Sequence, residues 1–190
     1  MKRFTAGSVS DHCVHHAPCP VLVYKKDKNS TVDPRAEAQD GVVMLAVDGS
    51  DRSLNVYNFA INNILKPKQH MSIVHVYSTS HTDAQWNGVK LLEEYATRAK
   101  TDGLESRVTT HLGKAMLAGK YLTKLCDTAM TATEREQLTG VATKEAPYIL
   151  VVASRGLNKV KRALVGSVSD HCVHNAECPV LVYKTPPSLA

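Results

Sequence analysis

Short, mainly apolar runs alternate along the chain with longer stretches in which apolar residues recur every three to four positions. GVVMLAV (41–47), HMSIVHVY (70–77), PYILVVA (147–153) and VLVY (180–183) are of the first kind and predict buried strands, bounded by Gly, Pro, Asp or Ser. LESRVTTHL (104–112) alternates, as a more exposed strand would. Between them lie helical patterns. SLNVYNFAINNILK places Val56, Phe59, Ala60 and Ile64 on one face, with Ser50 or Asp51 as cap and Lys66-Pro67 as stop. WNGVKLLEEYATRAK does the same with Leu91, Leu92, Tyr95 and Ala99, and residues 115–129 read as a third helix. Thr131 and Glu134 suggest a capping box for a short helix, TEREQL.

Strands alternating with helices imply right-handed crossovers and an α/β fold with a doubly wound, mainly parallel sheet. Such sheets bind ligands beyond the carboxyl ends of the strands, where the strand order reverses. Attention falls on two loops, VDGSD after the first strand of this pattern and ASRGLNKVKRALVGS after the fourth.

The chain also repeats itself. From Lys2 to Lys25 against Lys161 to Lys184, at a constant offset of 159, 19 of 24 positions are identical. Each copy reads as a short helix through SDHCVHHA or SDHCVHNA, ended by Cys-Pro, and then the strand VLVY. Ser8 or Ser10 in the first copy, and Ser167 or Ser169 in the second, are candidate caps. Residues 27–40, polar and carrying Pro34, read as a linker.

Composition narrows the function classes. With 43% hydrophobic and 22% charged residues over 190 positions, a packed globular domain is expected. No apolar run approaches the roughly 20 residues that span a bilayer, and the chain starts without a signal-peptide core, so no membrane association and a cytoplasmic location are expected. Five cysteines without a CxxC pair argue for reduced thiols. The net charge of +5 is scattered apart from Arg155, Lys159, Lys161 and Arg162, with no interleaved aromatics, so no nucleic-acid partner is expected.

The second loop holds Gly156 and Gly166 nine residues apart, then Ser167 at a helix start. Glycines let backbone N–H groups approach a polyphosphate, and a helix N-terminus carries roughly half a positive charge. Arg155 and Lys159 add charge, and Asp48 in the first loop suits sugar hydroxyls. Read without a ligand, Gly156 only turns the chain and Gly166 only packs the helix against the sheet. Two other chemistries compete. His12, His16, Cys13 and Cys19 form an acceptable zinc set, but the second copy has Asn175 in place of His16, and no metal is assigned. Ser/His/Asp combinations exist among nine histidines without a nucleophile elbow, so no catalytic residue is assigned either.

VVASRGLNKVKRALVGSVSDHCVHNAECPVLVY resembles the carboxyl end of a universal stress protein domain, marked by G-x2-G-x9-G-[ST], a helix, a Cys-Pro and a last strand. MLAVDGSDRS resembles that family's first strand and turn. The resemblance implies a five-stranded parallel sheet in the order 3-2-1-4-5, related to Rossmann and adenine nucleotide alpha hydrolase folds, and, in one subgroup, ATP with or without Mg²⁺. Carried over by position, Ala46, Val47 and Asp48 lie at the adenosine and the Val76 backbone at the adenine edge. Val152 and Ala153 border the ribose; Gly156, Gly166, Ser167 and Val168 hold the phosphates, with Arg155 beside them. Ala153 replaces the motif's first glycine, and an alanine at positive φ costs on the order of 1 kcal/mol, about fivefold in affinity.

The resemblance further implies a domain at 41–185 and a tail at 186–190. Residues 1–26 become the last helix and strand of a preceding repeat, as if the chain were part of a tandem array. Family members pair their last strands antiparallel across a homodimer, so residues 20–24 are expected to pair with 179–183 of the same chain or a neighbour. The expected function is an ATP-binding regulatory module with at most slow hydrolysis; the alternative is a nucleotide-free dimerisation or interaction module. The segment 131–146 exceeds the usual family pattern, and Pro147 stands where the family commonly has an acidic residue.

Overall fold

The computed structural model describes residues 8–24, 41–77, 84–114, 118–125, 147–154 and 167–185. Helix α1 (Ser8–His16) and strand β1 (Val21–Val23) come first. Then β2 (Val42–Val47), α2 (Asp51–Asn63), β3 (His70–Tyr77) and α3 (Ala84–Thr101) form two strand–helix units. After them come β4 (Val108–Lys114), α4 (Ala118–Leu125), β5 (Ile149–Ala153), α5 (Ser167–Asn175) and β6 (Val180–Tyr183).

The sheet runs β1-β6-β5-β2-β3-β4. Its five strands from β2 to β6 are mutually parallel and stand in the expected order 3-2-1-4-5. The sheet has six strands rather than five, because β1 adds to the β6 edge antiparallel, with Val21 opposite Val182 and Val23 opposite Val180. The two copies of the repeated segment therefore meet within one chain. Parallel strands need helical crossovers, whereas an antiparallel neighbour needs none, which lets β1 join through the polar stretch that precedes β2.

Strand periodicity divides the core into two layers. Val43, Leu45 and Val47 of β2 point to one face, with Met71 and Ile73 of β3 and Val151 of β5, and pack under Val56, Tyr57 and Ala60 of α2 and Leu92 and Tyr95 of α3. Met44 of β2, Val74 of β3, Leu150 and Val152 of β5 and Val180 of β6 point to the other face. There they meet Leu122 of α4, Cys172 and Val173 of α5 and Val14 of α1. Because helices cover both faces, these strands read as nearly continuous apolar runs. Fully burying one such Val or Leu stabilises by roughly 1.5–3 kcal/mol, so Leu45→Ala, at a position with no exposure, is costly by about 2–5 kcal/mol.

Several local readings shift. The segment expected as a strand from residue 104 begins with a 3₁₀ turn, Glu105–Arg107, and extends only from Val108. Arg107 explains the turn: its guanidinium donates to the carbonyls of Lys66 and Gln69, pinning the chain beside the start of β3. The helix expected over 115–129 is observed as α4, Ala118–Leu125, and residues 115–117 and 126–129 lie outside the described residues. So do the TEREQL helix and the whole segment 131–146. Close approach of α4 to the sheet depends on Gly113 of β4, where a Cβ would come within 2.6 Å of the Tyr121 ring.

Candidate functional site

The strand order reverses between β2 and β5, and a crevice opens beyond their carboxyl ends. The described residues bound a cavity of about 90 Å³ there. Ala46, Val47 and Asp48 from the end of β2, Val74 and Val76 from β3, and Val152 and Ala153 from β5 line it. Ser53 of α2, Leu122 of α4, and Val168 and Ser169 of α5 complete the wall. The lining is mostly apolar, broken by the Asp48 carboxylate and the Ser53 and Ser169 hydroxyls.

The turn after β2 is built around Asp48. Its Oδ1 accepts from the Ser50 hydroxyl at 2.7 Å, the Ser53 hydroxyl at 2.7 Å and the Ser50 N–H at 3.2 Å. The Ser53 hydroxyl in turn accepts from the Asp48 N–H at 2.9 Å. This reciprocal pair ties the strand end to the first turn of α2. Gly49 takes φ 77°, a left-handed conformation that glycine adopts without a Cβ penalty. Ser50 holds the N-cap position of α2 with extended backbone, but its side chain caps nothing because its hydroxyl is committed to Asp48. Asp51 sits in the first helical turn, where negative charge is favoured.

Behind the turn, Tyr95 of α3 is buried, and its phenol is pushed up to about 12 by burial first and by the Asp48 carboxylate second. The Ser53 hydroxyl hydrogen-bonds it and opposes that rise. His75 Nδ1 lies 2.8 Å from the Val47 carbonyl oxygen; an oxygen only accepts, so Nδ1 carries the hydrogen. The β2–β3 register ends at Val47 opposite His75, and Val76 continues past the end of its β2 neighbour.

Seven of the residues singled out from sequence come together here: Ala46, Val47, Asp48, Val76, Val152, Ala153 and Val168. Ser167 opens α5 and is exposed, outside the lining. Arg155, Gly156 and Gly166 lie outside the described residues. Ala153 is the last residue of β5, paired with Tyr183, and no non-glycine residue among those described has positive φ. Alanine at 153 is therefore unstrained, and only a methyl group is added to the wall.

Sequence reasoning missed Ser53, Val74, Leu122 and Ser169. Val74 was accessible, since it lies two positions before Val76 on the same strand face. Ser53 was within reach as a hydroxyl two residues beyond the turn. Leu122 had no local signal, because α4 reaches the crevice only through the tertiary fold. The alternative zinc set is not assembled among the described residues: the His12 and His16 rings stack at 4.2 Å and His16 Nδ1 lies 3.0 Å from the His12 carbonyl oxygen, while Cys13 and Cys19 are exposed.

A doubly wound parallel sheet with a crevice at its switch point defines the class as a Rossmann-like α/β protein. The family model described as the universal stress protein family matches residues 1–25 and 41–184, and the chain belongs to that family. The universal stress protein PHOS34 of Arabidopsis thaliana is 28% identical over 177 residues, covering 83% of this chain and 66% of that protein. Among solved structures, a universal stress protein from Archaeoglobus fulgidus aligns with a TM-score of 0.61 at 21% identity, over 96% of this chain and 55% of that one. This chain thus spans about half the length of that relative. A universal stress protein solved in complex with cAMP aligns with a TM-score of 0.50 at 21% identity, over 76% of this chain and 97% of that one. No helix among the described residues is long and apolar enough to cross a membrane.

Proposed function

We propose that the chain is an ATP-binding regulatory module of the universal stress protein family, with the nucleotide between the turn after β2 and the loop that leads into α5. The observation that carries this reading is the convergence of seven sequence-assigned residues on one crevice at the sheet's switch point. A flat, weakly polar adenine suits the apolar wall of Ala46, Val74, Val76 and Val152, and the adjacent Asp48 carboxylate suits ribose hydroxyls. Gly156, Gly166, Ser167 and Val168 would hold the phosphates, with Arg155 supplying charge and Mg²⁺ an optional counter-ion. The related protein bound to cAMP offers a parallel, an adenine nucleotide on this fold. Asp48, the one carboxylate among the described lining residues, is held by the Ser50 and Ser53 hydroxyls, and the role assigned to the module is to bind ATP rather than to turn it over rapidly.

Calorimetric titration with ATP, with and without Mg²⁺ and with Gly166→Asp as control, tests the reading. Saturable heat abolished in the control is expected; no heat at millimolar ATP overturns it. The second reading, an interaction module without nucleotide, draws on the β1–β6 pairing, which satisfies the sheet edge without any ligand. In the proposed organisation, residues 1–26 are the terminal helix and strand of a preceding repeat, 27–40 a linker, 41–185 the domain and 186–190 a tail. The matched fold of α1–β1 and α5–β6, on 19 of 24 identical positions, supports that assignment.

A further inference from the structure

The antiparallel meeting of β1 and β6 brings their helices together, and with them two pairs of repeat-related side chains. Asp11 and His15 of α1 are the counterparts, 159 positions earlier, of Asp170 and His174 of α5. His15 Nε2 stands 3.4 Å from Asp11 Oδ1 and 3.5 Å from Asp170 Oδ1. His174 Nε2 stands 3.6 Å from the same Asp11 Oδ1, and its Nδ1 3.7 Å from Asp170 Oδ1. One ligand atom each from Asp11, Asp170 and His174 all lie within 4.8 Å of one another. We propose that Asp11, His15, Asp170 and His174 form a zinc-class divalent metal site that clamps the N-terminal helix to the domain.

Three features of the geometry favour a metal over a simple ion-pair cluster. The separations exceed the roughly 2.7–2.9 Å of charge-assisted N–H···O bonds. The three that involve Nε2, at 3.4, 3.5 and 3.6 Å, approach the edges of a tetrahedron with bonds of about 2.0–2.1 Å, which are roughly 3.3–3.4 Å long. Second, His174 Nδ1 lies 2.9 Å from the Asp170 carbonyl oxygen. An oxygen can only accept, so Nδ1 carries the hydrogen, which leaves Nε2, the nitrogen facing Asp11, as the ring's ligand atom. Donation of the second ring nitrogen to a carbonyl is the outer-shell arrangement that orients zinc-binding histidines. Third, two carboxylates face one another across the helix pair, and a dication bound by both would neutralise them. All four side chains are partly exposed, which leaves an entry path. Imidazole with carboxylate selects zinc, cobalt or nickel over magnesium or calcium.

None of the four residues lines the nucleotide crevice, so metal binding is tested independently of ATP binding. The test uses the full chain, stripped with a chelator, dialysed against Zn²⁺ and assayed for metal content, and separately loaded with Co²⁺ for its visible spectrum. One equivalent of zinc per chain is expected, with an intense tetrahedral d–d band and no thiolate charge-transfer band. Asp11→Asn and His174→Gln, each shown folded by circular dichroism, should weaken zinc at least about tenfold, the loss that even an outer-shell change produces. Cys13→Ser/His16→Gln should bind as the parent does. Failure to retain zinc, a thiolate band, or unchanged affinity in folded Asp11→Asn overturns the proposal.

Discussion

The ammonium of Lys184, just beyond β6, donates a 2.7 Å hydrogen bond to the carbonyl of Ala17, just beyond α1, joining positions 167 apart in sequence. Ala17 is at the end of a helix, where backbone carbonyls lack intrahelical partners and a cation is favoured. Partial burial of the ammonium lowers the lysine's pKa. Lys184→Met keeps the aliphatic stem and removes the donor. It should cost about 1 kcal/mol and raise amide exchange across residues 8–24, with exchange in β2 and β3 unchanged; uniform exchange throughout would contradict this.

Ser53 is buried and serves Asp48 both as donor and as acceptor. Ser53→Ala leaves the Asp48 N–H without that partner and loosens the turn that shapes the crevice. A loss of about 1–3 kcal/mol in denaturant unfolding is expected, together with weaker ATP binding. Ser50→Ala, at an exposed position, should cost less than Ser53→Ala in the same assay.

Ala153 has no strain for glycine to relieve. Ala153→Gly should therefore destabilise by about 0.5–1 kcal/mol, the entropic cost of glycine within a strand. Its ATP affinity should stay within about fivefold of the parent's, a span worth on the order of 1 kcal/mol. A large gain in affinity by calorimetry would show that the methyl obstructs the ribose position.

Tyr95 has a folded pKa of about 12, above the ordinary 10.0. The folded state thus holds its proton where the unfolded chain has released it. Its contribution to stability is complete below about pH 10 and declines as pH rises toward about 12, by on the order of 1 kcal/mol after allowance for solvent screening. Tyr95→Phe should flatten that part of an alkaline stability profile measured by urea unfolding. An equally steep profile would assign the alkaline transition elsewhere; Tyr57, raised by burial and by its hydrogen bond to Asp102, is the next group to replace.

Deleting residues 1–26 should change the oligomeric state more than ATP affinity. Without β1, the β6 edge from Val180 to Tyr183 presents unpaired backbone groups, and self-association through that edge satisfies them. Light scattering should show a larger species with nucleotide affinity kept. An unchanged mass with ATP binding lost would refute the assignment.

Four of the five parallel strands were visible in the sequence because a strand covered on both faces must be mainly apolar, as GVVMLAV and PYILVVA are, and β4 was visible through its alternation. Their order came from family resemblance, since alternation of strands and helices does not number neighbours. The pairing of β1 with β6 came from the duplicated VLVY taken together with the family resemblance. The Glu105–Arg107 turn was not, because it answers to carbonyls of Lys66 and Gln69 some 40 positions away. The same holds for Leu122 in the crevice wall. The Asp and His pair recurs in the repeat, as Asp11 and His15 in the first copy and Asp170 and His174 in the second, but a histidine four residues after an aspartate on one helix says nothing of a second helix facing it.

The linkage between β1 and β6 also sets a concentration scale. Strand β1, tethered to the start of β2 by a polar stretch of fewer than 20 residues, meets β6 at an effective concentration on the order of millimolar, whatever the amount of protein present. Exchange of β1 between two chains must compete with that internal supply. In dilute solution the edge closes on itself by mass action, and a mixed pair, with each chain lending its first strand to the other, becomes favourable only when molecules are crowded to comparable density.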